Sequence, residues 1–444
     1  MNEALISHRG PGHLWLASLG QRGMSLGLQR MTDLLQRLGR PQQSQPCIIV
    51  GGTDGKGSTS AMIATLLGAA GLRVGHYTSP HLLETRERVL VSQHCVSAQD
   101  LDNALQQVQA AALDLELTPF EALTAAALLL FSQSALDVAV LEVGLGGRLD
   151  AVNACEPILG VITHLSHDHQ AILGRTLAEI AFEKAGIARD GVPLVVADPL
   201  LVAAALRRHG RQPRLVGLGA DLRVTSARIE PSTLQTHGTI EYSGWKAPVD
   251  VGLGLPGQHQ VENAALALAA YTELRVMLGE KVGQVLPEAA TVATALTQTN
   301  WPLRAEIMSL EPLLLIDSAH NPGGMAALAS LLAHRGRRWQ VLLAVRKDRD
   351  PQQIIELLAP IAEAFWLPRV QGETLVPADQ LAGMVEEFAP QANVAVASLA
   401  RCLQAALDHA ALGDGVVVTG SQHALGEWLQ LGVLQSPRLA ARLG

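Results

Sequence analysis

Aromatic residues make up only 3% of this 444-residue chain, so its cores must be filled by Ala, Leu and Val rather than by stacked rings. Its four cysteines, Cys47, Cys95, Cys155 and Cys402, lie far apart with no CxxC pairing, which argues against a disulfide framework and a cysteine zinc site and fits a reducing cytoplasm. No block of Lys or Arg stands out, and 33 basic against 41 acidic residues give a formal charge of −8. Nucleic acid is therefore not an expected partner. The longest apolar stretch, around Ala122 to Phe131, is too short to span a bilayer, and the opening "MNEALISHRGPGHLWLASLG" lacks a basic flank followed by an apolar core, so no membrane targeting is expected. What is present, 48% hydrophobic and 17% charged residues, is the composition of a globular protein, and the length predicts two domains.

Short β-type runs alternate with longer Ala/Leu-rich segments, the pattern of βαβ units on a parallel sheet. Strands are expected at Cys47–Val50, Arg73–Thr78, Asp137–Val143, Pro157–Thr163 and Pro193–Ala197, continuous apolar runs suited to a sheet covered on both faces. From Leu215 to about Gly252 the pieces become short and turn-rich, which reads as a small antiparallel section. A helix with Asn263 early in it follows, and at Trp301-Pro302 the periodicity fails, marking a hinge. Beyond it the alternation restarts, with strands at "LLLID", "QVLLAV", "NVAVA" and "GVVVTG" and helices from about Gly323, near Gln352 to Ala364, and at the end. The expected architecture is α/β throughout, with a nucleotide-binding domain over residues 1–298 and a smaller α/β domain over 299–444.

The stretch "VGGTDGKGSTSAMIATLLGAAG", Val50 to Gly71, sets a glycine-rich turn with one lysine between a strand and a helix that opens on Ser58 and Thr59. Such a turn presents backbone N–H groups and a helix N-terminus to an anion, with Lys56 adding positive charge and Ser58 a hydroxyl for Mg2+. Glycine after the lysine breaks the GxxxxGK[ST] spacing, and a turn that merely caps a helix remains the other reading. Glu142 ends an apolar strand. A buried carboxylate there is costly without a partner, which points to a metal, while capping of the Gly144–Gly147 turn is the alternative. His164, His167 and His169 read equally as an exposed loop or a zinc site. Lys184, in "AFEKAGIARD", reads by itself as solvent-facing and paired with Glu183 or Asp190.

The odd loop form is informative, because "GTDGKGS" resembles the "GTNGKGS" loop of the folylpolyglutamate synthase/dihydrofolate synthase family of bacterial bifunctional type, relatives of the Mur peptide ligases. "YTSPHL", "LEVGLGGRLDAVN", "EKAGI", "GQHQVENA", "WPLRAE", "DSAHNP" and "TGSQHALGE" match in the family's order, over nearly the whole chain from about Leu26. The resemblance implies a P-loop Mur-ligase-like central domain with a parallel sheet and a smaller Rossmann-like C-terminal domain. It implies that ATP phosphorylates an acid and that the amine of L-glutamate attacks the acyl phosphate, the acid being dihydropteroate, tetrahydrofolate or both. Thr53, Gly55, Lys56, Gly57, Ser58 and Asn263, with Arg304 and Asp317 from the second domain, would contact ATP. Ser58, Ser79, Glu142 and His169 would hold Mg2+ at two sites, with K+ as a further cation. Lys184 would carry a carbamate that orients the second metal. His320 would orient the amino acid or the acyl phosphate, though a strand-end histidine needs no function. Gly27, Leu28, Arg30, Phe120, Glu121, Asp150 and Ala151 lie where the family's pteroate-contacting segments lie. A cytoplasmic monomer is the implied setting.

The chain also departs from the pattern. Asp54 replaces the family's Asn and adds a carboxylate beside phosphates, where Coulomb's law at ~6 Å and a dielectric of ~20 gives roughly 3 kcal/mol of repulsion. Leu303 stands for the glycine of "WPGR", Ser318 for that of "DGAHN", Val152 for the threonine of "LDATN" and Gln29 for the glutamate of "GLER". Val152, Gln29 and Ser318 motivate a second reading, the same ligase chemistry on a non-folate acid. Asp54 motivates a third, a nucleotide-binding protein impaired in turnover.

Overall fold

The computed structural model describes residues 10–22, 27–335, 338–370, 374–410 and 415–443. Leu26, where the family resemblance starts, and the stretch before Gly10 lie outside them.

Cys47–Gly51 (β1) is buried at every position. Its side chains alternate, Ile48 and Val50 joining one core and Cys47 and Ile49 another, as period-two geometry requires of a strand covered on both faces. With β2 (Val74–Tyr77), β3 (Val89–Val91), β4 (His94–Cys95), β5 (Val138–Glu142), β6 (Pro157–Ile162), β7 (Pro193–Val196) and β8 (Arg214–Gly217) it forms an eight-stranded sheet ordered β4-β3-β2-β5-β1-β6-β7-β8. The sheet is parallel except at the β2–β3–β4 edge. The antiparallel section begins later than Leu215: residues 214–217 extend the large sheet in parallel with β7. The separate antiparallel sheet is β9 (Leu222–Ile229), β10 (Thr236–Tyr242) and β11 (Val249–Leu253).

The second large sheet comprises β12 (Glu306–Leu310), β13 (Leu313–Ile316), β14 (Trp339–Leu343), β15 (Ala362–Pro368), β16 (Asn393–Ala397) and β17 (Gly415–Thr419), ordered β12-β13-β17-β14-β15-β16. Two of its strands differ from the sequence reading. The helix expected to reach Ala364 stops at Leu358, and "AEAFWLP" is β15, paired on both sides. Ala and Glu favour helix, but burial between two neighbouring strands overrides that preference. β12 is an antiparallel edge, only partly buried, and so offers no continuous apolar run to recognise.

Six helices frame the site: α1 (Lys56–Ala69), α2 (Pro119–Gln133), α3 (Leu177–Ala185), α4 (His259–Val282), α5 (Pro322–Ala333) and α6 (Pro437–Leu443). α1 and α4 share one core over the first sheet, and α2 packs in the core of the opposite face. A capping box between Thr118 and Glu121 starts α2, and the Asn321 side chain caps α5. Among the described residues no helix is long and apolar enough to cross a membrane. The carboxyl ends of β1, β5 and β6 face the turn after β13, Asp317 to Asn321, across a cleft, the usual position for a ligand in an open α/β sheet.

Candidate active site

The loop after β1 lies on the N-terminus of α1. Gly55 sits at φ 87°, a left-handed conformation, and a Cβ there would collide with the Asn263 carboxamide from α4, so glycine is needed twice over. The Asn263 Oδ1 accepts from Thr59 Oγ1 at 3.3 Å and its Nδ2 donates to Gln260 at 3.0 Å, which fixes α4 against the loop. Lys56 Nζ folds back on the carbonyls of Gly52 and Thr53, at 3.2 and 3.0 Å.

A cleft of about 370 Å³ opens above this loop. Thr53, Gly55, Lys56, Gly57, Ser58, Ser79, Glu142, His169, Asn263, Arg304, Asp317 and His320 all line it, so every residue expected at the nucleotide and the metals is brought to one place. Lys184 stands just behind, in a small void with Gly52, Lys56 and His169. Asp317 has a further part: its carboxylate accepts the N–H groups of Ala305 and Ala319 at 2.8 and 2.7 Å. It thereby fixes the turn that carries Arg304. Leu303, at the hinge, is held at φ 54°, a strained conformation for a branched residue.

Glu142 is buried at the end of β5, and its Oε2 accepts the Ser79 amide at 3.2 Å. Burial raises its pKa, with the Lys56 charge opposing. A buried carboxylate lining the same cleft as Ser58 and Ser79 is part of an oxygen donor set that a hard cation would satisfy, and Mg2+ typically keeps waters rather than filling its shell with protein. A zinc site finds no support: among the described residues no three His, Cys, Asp or Glu converge on a metal position. His164 instead pairs with Glu262 at 2.8 Å, and Asp168, beside His169, is bound by Arg349 of the second half at 2.6 Å.

Lys184 is buried rather than solvent-facing, and neither Glu183 nor Asp190 is its partner. Its Nζ donates to the Gly52 carbonyl at 2.6 Å, while Glu183 pairs with Arg148 and Asp190 accepts the Gln212 amide. Burial brings its pKa down to about 7, helped by the charge of Lys56. The amine is thus substantially neutral at physiological pH, the form that is nucleophilic. His320 Nδ1 lies 2.9 Å from the Ser318 carbonyl. A carbonyl only accepts, so the proton sits on Nδ1 and the Nε2 lone pair is available. Burial lowers its pKa and keeps it neutral.

Asp54 turns sideways. Its Oδ2 accepts from Ser166 Oγ at 2.5 Å and its Oδ1 from Asn321 Nδ2 at 3.0 Å. Asn321 is the cap of α5, so the carboxylate joins the phosphate-type loop to the second half of the molecule.

A second, larger cavity of about 910 Å³ adjoins the cleft. Phe120, Glu121, Asp150 and Ala151 line it as expected, with His13, Leu16, His81 and Arg88, which sequence reasoning missed. Gly27, Leu28 and Arg30 are not among its lining residues; Arg30 acts at one remove, 2.9 Å from Glu121. The Asp150 carboxylate accepts the amides of Gly144, Leu145 and Val152, and burial raises its pKa to about 6. Arg88 Nε donates to His81 Nδ1 at 2.9 Å, and burial drops His81 to about 4. Arg88 follows "YTSPHL" closely enough to have been noticed, whereas nothing periodic singles out His13. Ser79, Pro80, Gly144 and His169 line both spaces.

Residues 50–271 match the model of the Mur ligase middle domain, and residues 303–422 that of the Mur ligase glutamate ligase domain. The dihydrofolate synthase/folylpolyglutamate synthase of Bacillus subtilis is 34% identical over 79% of this chain and 83% of its own. A probable bifunctional folylpolyglutamate synthase/dihydropteroate synthase of Halobacterium salinarum is 35% identical over 93% of this chain and 50% of its own, so the chain spans about half the length of that relative. Among solved structures, Escherichia coli FolC in complex with DHPP and ADP superposes with a TM-score of 0.82 at 28% identity, covering 98% of this chain and 99% of that one. A bifunctional folylpolyglutamate synthase/dihydrofolate synthase with Mn, AMPPNP and L-glutamate bound gives 0.81 at 30% identity, covering 96% and 99%.

Proposed function

Because the chain belongs to the folylpolyglutamate synthase/dihydrofolate synthase family of Mur ligases, we propose that its two adjoining cavities carry out ATP-dependent glutamate ligation to a folate-type acid, dihydropteroate or the γ-carboxyl of tetrahydrofolate. The enzyme is a C–N bond-forming ligase. One observation carries the reading: the polar cleft and the large apolar cavity share Ser79 and His169, so the phosphoryl end of a nucleotide and the carboxylate end of an apolar acid would meet between them.

Lys56 and the amides of Gly55 and Gly57 would bind the phosphates, with Asn263, Arg304 and Asp317 closing around the nucleotide. Ser58 and Ser79 would hold one Mg2+, and Glu142 and His169 a second. The bound cations would offset phosphate charge during transfer. ATP, the acid carboxylate and Glu142 together carry about four more negative charges than Lys56 and Arg304 offset, which supports two Mg2+ ions, and a carbamate on Lys184 would leave about one further charge for K+. The γ-phosphoryl of ATP moves to the acid carboxylate, and ADP leaves. The glutamate amine then attacks the acyl carbon, phosphate leaves, and the ammonium proton goes to His320 Nε2. Lys184, through its neutral, nucleophilic amine, would add CO2 and release a proton to form a carbamate, placing an anion beside the metals.

The chain divides near residue 298 in this reading, residues 1–298 binding ATP and 299–444 presenting glutamate; the two model matches on either side of that point support it. A cytoplasmic monomer fits four free cysteines. Val152, Gln29 and Ser318 are not among the lining residues of the large cavity, which favours a folate-type acid over another one. Asp54 is held by Ser166 and Asn321, which weakens the case for lost turnover. Purified protein with MgATP, L-glutamate and dihydropteroate or tetrahydrofolate should release ADP and add one glutamate mass to the pterin. ADP release that needs a different acid, or nucleotide binding with no turnover, overturns the proposal. His320→Gln should slow the amine step by on the order of 10²-fold; an unchanged rate removes the histidine from it.

A further inference from the structure

The last helix, α6, lies beyond both family-model matches, which end at residue 422. It nevertheless buries an arginine at the heart of the molecule. Arg442 is 7% exposed. Its Nη2 donates to Thr78 Oγ1 at 3.3 Å and to the Glu87 carbonyl at 2.9 Å, and its guanidinium lies 4.7 Å from the centre of the Trp301 ring. Nε has no hydrogen-bond partner. The Glu87 carboxylate makes no ion pair with it, accepting instead the amides of Leu82, Leu83 and Glu84, and its charge and that of Glu142 act on the guanidinium only from a distance. A buried guanidinium held by a hydroxyl, a carbonyl, the Cys95 thiol and one ring, with no carboxylate in contact, is a costly arrangement, and such departures from good packing practice concentrate where function demands them.

Two of these contacts, to Thr78 and to Trp301, lead to the cleft. Thr78 immediately precedes Ser79, whose amide binds the Glu142 carboxylate. Trp301 lies on the other side against the start of α1: a Cβ on Gly57 would come 2.6 Å from its ring. The same ring sits 5.7 Å from that of His76, which is bonded to Ser60 of α1 at 3.0 Å. α6 is itself fastened at several points, with Arg438 donating to the Gly254 carbonyl at 2.6 Å and the Leu443 carbonyl accepting from Arg86 at 3.1 Å.

We propose that Arg442 is a positioning residue for ligation: from α6 it holds the Thr78–Ser79 turn directly and the N-terminus of α1 through Trp301, setting the cation ligands and the phosphate loop relative to each other. The inference rests on reading Ser79 and Glu142 as cation ligands. It makes the carboxy-terminal helix part of the site although no residue of it lines the cleft.

The test uses the full chain. Mn2+ binding in the presence of AMPPNP, followed by electron paramagnetic resonance, reads cation geometry without any acid substrate. Arg442→Met should weaken Mn2+ binding and lower kcat by about 10–100-fold, the range seen when a partner behind a metal ligand is removed, with little change in the KM for acid. Arg442→Lys should recover part of the loss. Thr78→Val, which removes only the hydroxyl, should shift Mn2+ affinity in the same direction, and the double variant should be little worse than Arg442→Met. If Arg442→Met does not fold, the Thr78→Val protein decides. Folded variants with wild-type Mn2+ affinity, whatever their melting temperatures, overturn the inference. If the wild type binds Mn2+ with AMPPNP but makes no glutamylated folate, the proposed reaction fails while the role of Arg442 is still decided by the Mn2+ series. A wild type that binds no Mn2+ with the nucleotide overturns both.

Discussion

The two adjoining cavities are built on different plans. The nucleotide cleft draws its walls from both large sheets, from Thr53 to Gln422, whereas every lining residue of the larger apolar cavity, from His13 to His169, comes from the first half of the chain. The apolar cavity is therefore preassembled, and the cleft is complete only while the second half is docked. Asp54 with Asn321, Asp168 with Arg349 and Arg442 with Thr78 are among the polar contacts that dock it. Excluding water from an acyl phosphate needs such closure, while holding an apolar acid needs none.

The most severe test of this difference is to remove charge from the cleft alone. Lys56→Ala and Glu142→Ala should each lower turnover on the order of 10²–10³-fold, as loss of a preorganised charge partner does, and leave binding of the acid unchanged by calorimetry without nucleotide. Equal loss of acid binding would show that the two spaces are one. Lys184→Met comes next, with turnover down by about 10–100-fold and a stability effect of opposite sign. The native pKa of Lys184 is about 7, against ~10.4 in an unfolded chain. Below about 7 both states hold the proton and the penalty of burying the cation is complete; from there to ~10.4 only the unfolded state holds it, so native stability rises with pH. In CO2-free buffer the variant should melt above the wild type near neutrality and below, with the gap closing as pH rises towards ~10. A gap that widens with pH would contradict the burial of a free amine.

The cleft was the more legible of the two spaces, for a physical reason. Phosphate binding requires particular residue types at fixed spacing on one strand–turn–helix unit, so Lys56 and Ser58 stand out along the chain, as does Glu142, a carboxylate ending an apolar strand; Asn263 is singled out only by the family resemblance. Shaping an apolar cavity asks only for volume and hydrophobicity, which His13, Leu16 and Arg88 supply from separate elements with no common pattern. Gly27 and Leu28 were expected there because their segment has the right sequence, yet position relative to the cavity is a tertiary fact. The fold divides similarly. β1, β6 and β5 up to its terminal Glu142 are continuous apolar runs and readable, whereas β15 is written in helix-forming Ala and Glu and β12 is a half-exposed edge. Asp54 could be recognised as unusual, but its partners lie 112 and 267 positions away, beyond any local rule.

That residue gives a smaller effect whose sign is decisive. If the Asp54 carboxylate chiefly repels phosphate, Asp54→Ala should tighten ATP binding. If it chiefly fastens the second half, the same change should raise the KM for ATP. A hydrogen bond to a charged group is worth about 1.5–3 kcal/mol; the one from Asn321 reaches the second half, while the one from Ser166, within the first half, spreads the carboxylate charge and cuts its repulsion of phosphate, so fastening wins narrowly. A rise of roughly fivefold in KM for ATP is expected after the relieved repulsion is subtracted. The KM for the acid should stay constant, because Asp54 lines none of the walls of its cavity.

The smallest effect belongs to the preassembled side. Arg30 pairs with Glu121 at 2.9 Å, its side chain 26% exposed and that of Glu121 6%. The other Glu121 oxygen accepts both the amide and the hydroxyl of Thr118 at 2.8 Å, so the cap of α2 persists without the arginine. What Arg30→Met removes is a partly solvated ion pair, worth about 0.5–1 kcal/mol. The expected result is a rise of roughly threefold in the KM for the acid, through a looser seat for neighbouring Phe120, with the KM for ATP unaltered. A change confined to ATP would invert the assignment of the two cavities, since Arg30 braces Glu121 in the wall of the larger one.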